Sequence, residues 1–375
     1  MDASRIARTF PLVARPRPTC PPLEERVRRL HAQAVSAASE RQGEGNITPA
    51  VAVLNLAALI ASDCGDPHLA RRLCWEHADA FLAIHPLSAR HARFALEPVV
   101  NLARLQIRDG QPLAAYQLLD RLYRTVRARS TAVIADRELA LRDLTATTED
   151  QQAVCQWLWT VVLADGTRAL AGAGRWSEAH EHAHRHQGIG DRLLDGRQVA
   201  VLAGVFEGNP ADALTLLEAS RVDEPWEQGV AGCLRLLCHH RLNRPTPRAA
   251  ARAVLHYLES VPEPGLIVFR TRLALTCRTL TATAHPDITD KLTHPLIREV
   301  LESGDGYAAR EVLRHRAVRH HLKPSETARL IHTVRTAGLG PNAMPDELRR
   351  TLLEAARLSA GVVSRAVNSA VNQGD

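Results

Sequence analysis

Aromatic side chains are scarce in this sequence: Phe, Trp and Tyr together make 4% of 375 residues, and there are only two methionines. Sandwiches and barrels lean on aromatic and β-branched residues, so the 45% of the chain that is hydrophobic must form its core mainly from Leu, Ala and Val. Those residues favour close helix–helix packing. No apolar run reaches the roughly 18 residues needed to cross a bilayer. The stretch Met1 to Pro22 is rich in Arg and Pro and has no apolar h-region, so no signal peptide is read and a cytoplasmic location is expected. The seven cysteines form no C-x-x-C pair and are scattered through apolar contexts, which suits reduced core thiols better than a disulfide framework or a zinc site. Lysine is nearly missing: Lys291 and Lys323 are the only two among 47 basic residues. With the abundance of Ala, this bias points to a GC-rich bacterial genome.

Enzyme signatures are missing too. The sequence has no G-x-S-x-G, no P-loop, no G-x-G-x-x-G between a strand and a helix, and no D-D-x-x-D cluster. No cofactor is expected. The net charge of +6 and pI near 9.2 invite a nucleic-acid reading. The charge is uneven, however. Residues 241–375 carry 18 Arg and 2 Lys against 13 acids, or +7, leaving −1 for residues 1–240. The densest stretch, Arg310 to His321, reads either as a solvated basic helix or as a surface facing phosphates.

Apolar residues recur at helical spacing almost throughout, interrupted at short intervals by Gly, Pro, Asp and Asn. This is the pattern of short antiparallel helices joined by tight turns. Helices are expected near 92–109, 150–173, 289–303 and 306–321, among others. Five segments share one shape, with a Gly at the turn and an Ala five residues later: Gly65/Ala70, Gly110/Ala115, Gly174/Ala179, Gly208/Ala213 and Gly304/Ala309. Gly accepts the left-handed cap conformation, and the Ala lets the second helix approach the first.

The pattern resembles the tetratricopeptide repeat, a two-helix hairpin of about 34 residues with a Gly at the turn and a small residue five later. The Gly174–Gly208 step has that period, and the other steps carry insertions. The resemblance implies an all-α solenoid of seven or eight stacked hairpins. On that reading residues 1–21 are a disordered arm, 22–320 the repeat array with an insertion at 124–150, and 321–375 the helices that complete the array. It also implies that the first helix of each hairpin lines a concave groove. Six residues before the turn Gly stand Arg104, Arg168 and Arg298; nine before stand Asn101, Asp165 and Pro295. Arg offers a two-pronged fork to a carboxylate or phosphate. Asn101, Arg104, Asp165, Arg168 and Arg298 are therefore candidate groove residues, with Arg108 extending the face one turn beyond Arg104. The alternative is that these residues bond each other or a neighbouring helix.

Three other features need placing. Within the insertion, Ala132–Ala135 and Glu138–Leu141 lean toward β structure around Asp136-Arg137, and the segment is open between a small hairpin, a loop and a short helix. As an insertion it is a candidate for a specialised element on the binding face. The run His180-Glu181-His182-Ala183-His184 contains H-E-x-x-H, so His180 and His184 are candidate zinc ligands with Glu181 as base. Yet it falls where the repeat needs Ala179 and Ala183 for packing, and no third ligand follows at the metzincin spacing. Trp157 and Trp159 point to different sides of one helix, as core fillers or with one ring toward a partner.

The function these features favour is a peptide- or protein-binding scaffold for a partner bearing acidic or carboxylate groups. It would serve as a peptide sensor of the regulator type or as an accessory subunit presenting a peptide to a modifying enzyme. A zinc-dependent hydrolase and nucleic-acid binding through the basic third are the alternatives. An amphipathic helix around Pro345–Val371 offers a route to a homodimer.

Overall fold

The computed structural model describes residues 10–39, 47–341 and 343–372, apart from the side chains of 369–372. The chain divides into two compact units: residues 22–165 with 338–375, and residues 1–21 with 166–337. Both are helical, and successive helices pack against one another in chain order.

The first unit opens with α1 (Leu23–Ser39), α2 (Thr48–Asp63), α3 (Pro67–Leu82), α4 (Ala89–Arg108) and α5 (Pro112–Arg127). A hairpin follows, β1 (Thr131–Ile134) with β2 (Arg137–Ala140), then α6 (Thr148–Val161) and a π turn over Val162–Gly166. Local chemistry fixes the boundaries. Asp66 accepts from the Leu69 N–H (2.9 Å) ahead of Pro67, and the Thr147 hydroxyl accepts from the Asp150 N–H (3.0 Å). The turn glycines Gly65 and Gly110 hold φ of +73° and +78°, as left-handed turn residues do. The helices α2 and α3 form one antiparallel hairpin, α4 and α5 the next, and α2, α4 and α6 lie side by side as the first helices of their hairpins.

The second unit holds α7 (Thr167–Gly172), α8 (Trp176–Arg185), α9 (Asp195–Phe206), α10 (Pro210–Glu218), α11 (Pro225–Arg241) and α12 (Arg248–Glu259). It continues with α13 (Ile267–Thr281), α14 (Pro286–Ser303), α15 (Gly306–Arg314), the short α16 (Arg316–Arg319) and α17 (Pro324–Thr336). Pairs α7/α8, α9/α10, α11/α12, α13/α14 and α15/α17 are its hairpins. The last helix, α18 (Asp346–Asn372), returns to the first unit. Its buried stripe Leu352, Ala355, Ala356, Ser359, Val363 and Val367 recurs at helical spacing, and the helix packs on α1, α2 and α3. The apolar face read as a homodimer surface is thus the one used inside the unit.

The fold class is the expected one: all-α, built of stacked antiparallel hairpins with one small sheet. Four details differ. The helix expected over 150–173 is interrupted by the π turn, and the one over 306–321 breaks at His315, whose imidazole caps the Val318 N–H (3.3 Å). The hairpin in the insertion is real but shifted by one residue. Ala135 and Asp136 occupy its turn with φ of 47° and 67°, a two-residue turn that suits the strand twist. Finally, residues 10–21 of the N-terminal arm, expected to be disordered, are seated on the second unit; residues 1–9 lie outside the described residues.

Candidate functional site: the face of α2, α4 and α6

Helix α4 has two faces of opposite character. Ala92, Ala95, Leu96, Val99, Val100 and Ala103 are buried and hold it in the unit. On the other face Arg90, Arg93, Phe94, Glu97, Asn101, Arg104 and Arg108 recur at steps of three and four. This stripe is flanked by α2 on one side and by α6 with its π turn on the other.

Much of the stripe joins first helices together. Toward α2, Arg90 donates to the Thr48 hydroxyl (3.0 Å), the Asn101 amide donates to Asn55 (2.9 Å), and Arg108 pairs with Asp63. Asp63 has no exposed side-chain surface and also holds Arg26 of α1. Toward α6, the Arg93 guanidinium lies 5.4 Å from the Trp157 ring centroid, and Arg104 donates to Asp165 in the π turn (2.9 Å) and to Asn101 (2.9 Å). The sequence-predicted Asn101, Arg104 and Asp165 therefore meet in one network, and Arg108 lies one turn on.

At the N-terminal end of the stripe the surface opens into a cavity of about 460 Å³, walled by Arg90, Arg93, Phe94, Glu97 and Trp157, with Ala89 and Ala153 leaving the space. Arg93 is exposed and, among the described residues, has no carboxylate partner; Glu97 has no ion-pair partner there either. Arg90 stacks on Phe94 (5.6 Å). Pro98, inside α4, removes the amide that would bond the Phe94 carbonyl. Behind the wall, His91 has its pKa lowered by burial first and by the Arg90 charge second, so it stays neutral at pH 7. The cavity thus combines aromatic faces, guanidinium forks on one side and one carboxylate a turn away.

The remaining candidates lie elsewhere. Arg168 belongs to the second unit, where it contacts Asp195 (3.5 Å) and donates to the Val13 carbonyl (3.3 Å). Arg298 is exposed on α14, beside a cavity of about 390 Å³ that also meets Glu302, Glu326 and Arg329. The register that equated it with Arg104 and Arg168 fails for a definite reason. Gly304 (φ +60°) joins the hairpin α13/α14 to α15, whereas the other four glycines sit inside hairpins, so Arg298 is on a second helix. In the histidine run, His180 is half-buried and His184 exposed, while His182 points inward against Gly166, its ring centroid 4.5 Å from that of His186 with the planes tilted at 49°. Among the described residues no group of three or more His, Cys, Asp or Glu side chains comes together to hold a metal.

The β-hairpin sits with the second helices. Arg71 of α3 donates to the Ala135 carbonyl (2.6 Å), Arg121 of α5 to the Val133 carbonyl (3.1 Å), and Arg137 forks onto Asp79 (3.0 and 3.1 Å) over the Trp75 ring (4.4 Å). It is not part of the α2–α4–α6 face. In the basic third, Arg310 stacks on Tyr307 (5.6 Å), and the helical break at His315 divides the Arg-rich stretch.

Sequence reasoning missed Arg90, Arg93, Phe94 and Glu97. The signal was present: stepping back from Arg104 by seven gives Glu97, and by eleven gives Arg93. No family model matches the chain, and no curated protein or solved structure matches it.

Proposed function

We propose that the face of α2, α4 and α6 holds an extended segment of a partner polypeptide, and that the chain is a tetratricopeptide-like scaffold. An acidic side chain or carboxylate of the segment engages Arg93, with Arg90 beside it, and an apolar side chain fills the cavity against Phe94 and Trp157. The observation that carries this reading is the cavity at the end of the α4 stripe, where a guanidinium without a carboxylate partner among the described residues lies over the half-buried Trp157 ring. Stacking on Trp157 fixes the Arg93 fork beforehand, so less freedom is lost when an anion binds. Glu97, one turn away, disfavours a second acidic residue at that point and gives the segment a direction. Arg104 and Arg108 are spent on ion pairs within the face, and their part is to hold α4 in place. The protein acts by holding, as a sensor of a peptide or as an accessory subunit that presents one to a modifying enzyme.

The test compares the natural chain with Arg93→Glu and Trp157→Ala as immobilised bait in lysate of its own organism, with captured polypeptides identified by mass spectrometry. The reading expects a polypeptide retained by the natural chain and lost from both variants, at unchanged thermal midpoints. Equal capture by all three proteins overturns it.

A further inference from the structure

In the second unit the N-terminal ends of the first helices already carry an extended segment, and the segment belongs to the chain itself. Residues 10–21 contain neither helix nor strand. They run along the N-terminal ends of the first helices of four hairpins in the unit 166–337, meeting Arg168 of α7, the first residue of α9, the loop ahead of α13 and the start of α15 in turn. Near one end, Phe10 and Leu12 are buried at 5% and 7% exposure. The Val13 carbonyl accepts from Arg168 of α7 (3.3 Å), and Arg15 pairs with Asp195 at the start of α9 (2.7 Å). Further on, the Arg17 N–H donates to the Gly265 carbonyl ahead of α13 (3.1 Å). At the other end the Cys20 N–H donates to Asp305 (2.8 Å), and the Gly306 N–H of α15 donates to the Cys20 carbonyl (2.9 Å).

The contacts have the form of peptide recognition. Main-chain bonds give adhesion, and side chains at chosen positions give selectivity. Gly265 is shaped for the arm: a Cβ there would stand 3.0 Å from the Arg17 carbonyl oxygen. Prolines 11, 16, 18, 21 and 22 favour an extended chain before docking and reduce the ordering cost. Pro16, Pro18 and Thr19, which flank the Arg17 anchor, are exposed. Leu12 holds φ at 51°, a left-handed conformation that a branched side chain adopts only under constraint from its surroundings. Release of the arm relieves that strain.

We propose that the N-terminal edge of the first helices in residues 166–337 is a docking site for an extended, proline-rich basic segment, with this chain's own arm as its resident occupant. A partner polypeptide with the same pattern, two apolar residues two apart and an arginine three further on, exchanges with it. This site differs from the α2–α4–α6 face, prefers the opposite charge, and stands or falls independently of the reading given there.

The probe is a fluorescein-labelled peptide of residues 9–21 with Cys20→Ala, added in trans to the full chain and followed by anisotropy. The receptors are the natural chain, an Arg15→Ala variant whose own arm is loosened, and a double variant Arg15→Ala/Asp195→Ala. The proposal expects the labelled peptide to bind Arg15→Ala about tenfold or more tightly than the natural chain, and Asp195→Ala to abolish the gain. A peptide carrying Arg15→Glu should not bind. Failure to bind a folded Arg15→Ala chain, or loss of folding in that variant, would make the arm a fixed part of the core and overturn the proposal. Equal binding to all three chains overturns it as well, by placing the peptide elsewhere.

Discussion

His77 is 1% exposed on α3, beside Phe81 (5.9 Å between ring centroids), and neither ring nitrogen has a hydrogen-bond partner among the described residues. Burial lowers its pKa from 6.5 to about 4, so the folded chain keeps it neutral. The unfolded chain takes up a proton near pH 6.5, and the folded one only near pH 4. The stability due to this difference is whole above pH 6.5 and is lost as the pH falls toward 4, by about 3 kcal/mol in all. Denaturant titrations across that range should show the decline, and His77→Leu should flatten it; an unchanged slope in the variant would remove His77 as its source. A second residue-scale prediction separates two glycines in like turns. Both have positive φ, but a Cβ at Gly65 would lie 2.5 Å from the Pro341 Cα, whereas at Gly110 it would meet nothing within 4 Å. Gly110→Ala should cost about 1 kcal/mol from backbone strain, and Gly65→Ala distinctly more, in urea unfolding. Equal losses would mean that the Pro341 contact gives way. The cysteines, too, are governed by burial. It raises the Cys64 thiol to about 11 and those of Cys74 and Cys238 to about 12, leaving them protonated and poorly reactive at neutral pH.

Among elements, α1, α2 and α4 share one buried charge. Asp63 lies between Arg26 and Arg108, and its loss leaves two guanidiniums facing each other. Asp63→Ala should destabilise the first unit by about 3 kcal/mol, in line with removing one partner of a buried pair. Restored stability on adding Arg108→Leu would attribute the loss to the uncompensated charge; no restoration would contradict that account. The β-hairpin leads to a different expectation. Because it rests on α3 and α5, Arg137→Ala should speed amide exchange in residues 131–140 and leave partner capture unchanged. Loss of capture would return the insertion to the binding face. Element existence was well recorded in the sequence, since period and glycine turns are local. Partnership was less so. Whether Gly304 closes a hairpin or joins two depends on how α13, α14, α15 and α17 pair, which no local spacing encodes. The arm was hidden for a related reason. Pro and Arg read as disorder until Asp195, Asp305 and the Gly265 backbone, far along the chain, are in place to receive them.

At the scale of the molecule, the two units use their first helices differently. In residues 166–337 the N-terminal ends of those helices carry the arm, with Asp195 and Asp305 meeting a basic segment. In residues 22–165 with 338–375 the face of α2, α4 and α6 is open at one end and presents Arg90 and Arg93 beside aromatic rings. The geometry of the face was half legible from the sequence: the register set Asn101, Arg104 and Asp165 together, and they meet in one network with Arg108 one turn on. It did not reveal that these groups satisfy one another, because their pairing spans three helices, or that an exposed guanidinium of the face without a carboxylate partner among the described residues stands instead at Arg93. The claim that this face binds an acidic, apolar segment is tested most directly by selecting a random peptide library on the immobilised full chain and on Arg93→Glu. The account predicts enrichment of an acidic residue next to an aromatic or aliphatic one on the natural chain, and replacement of that acid by Lys or Arg on the variant. Enriched peptides with no acidic preference, or the same consensus on both proteins, would contradict it.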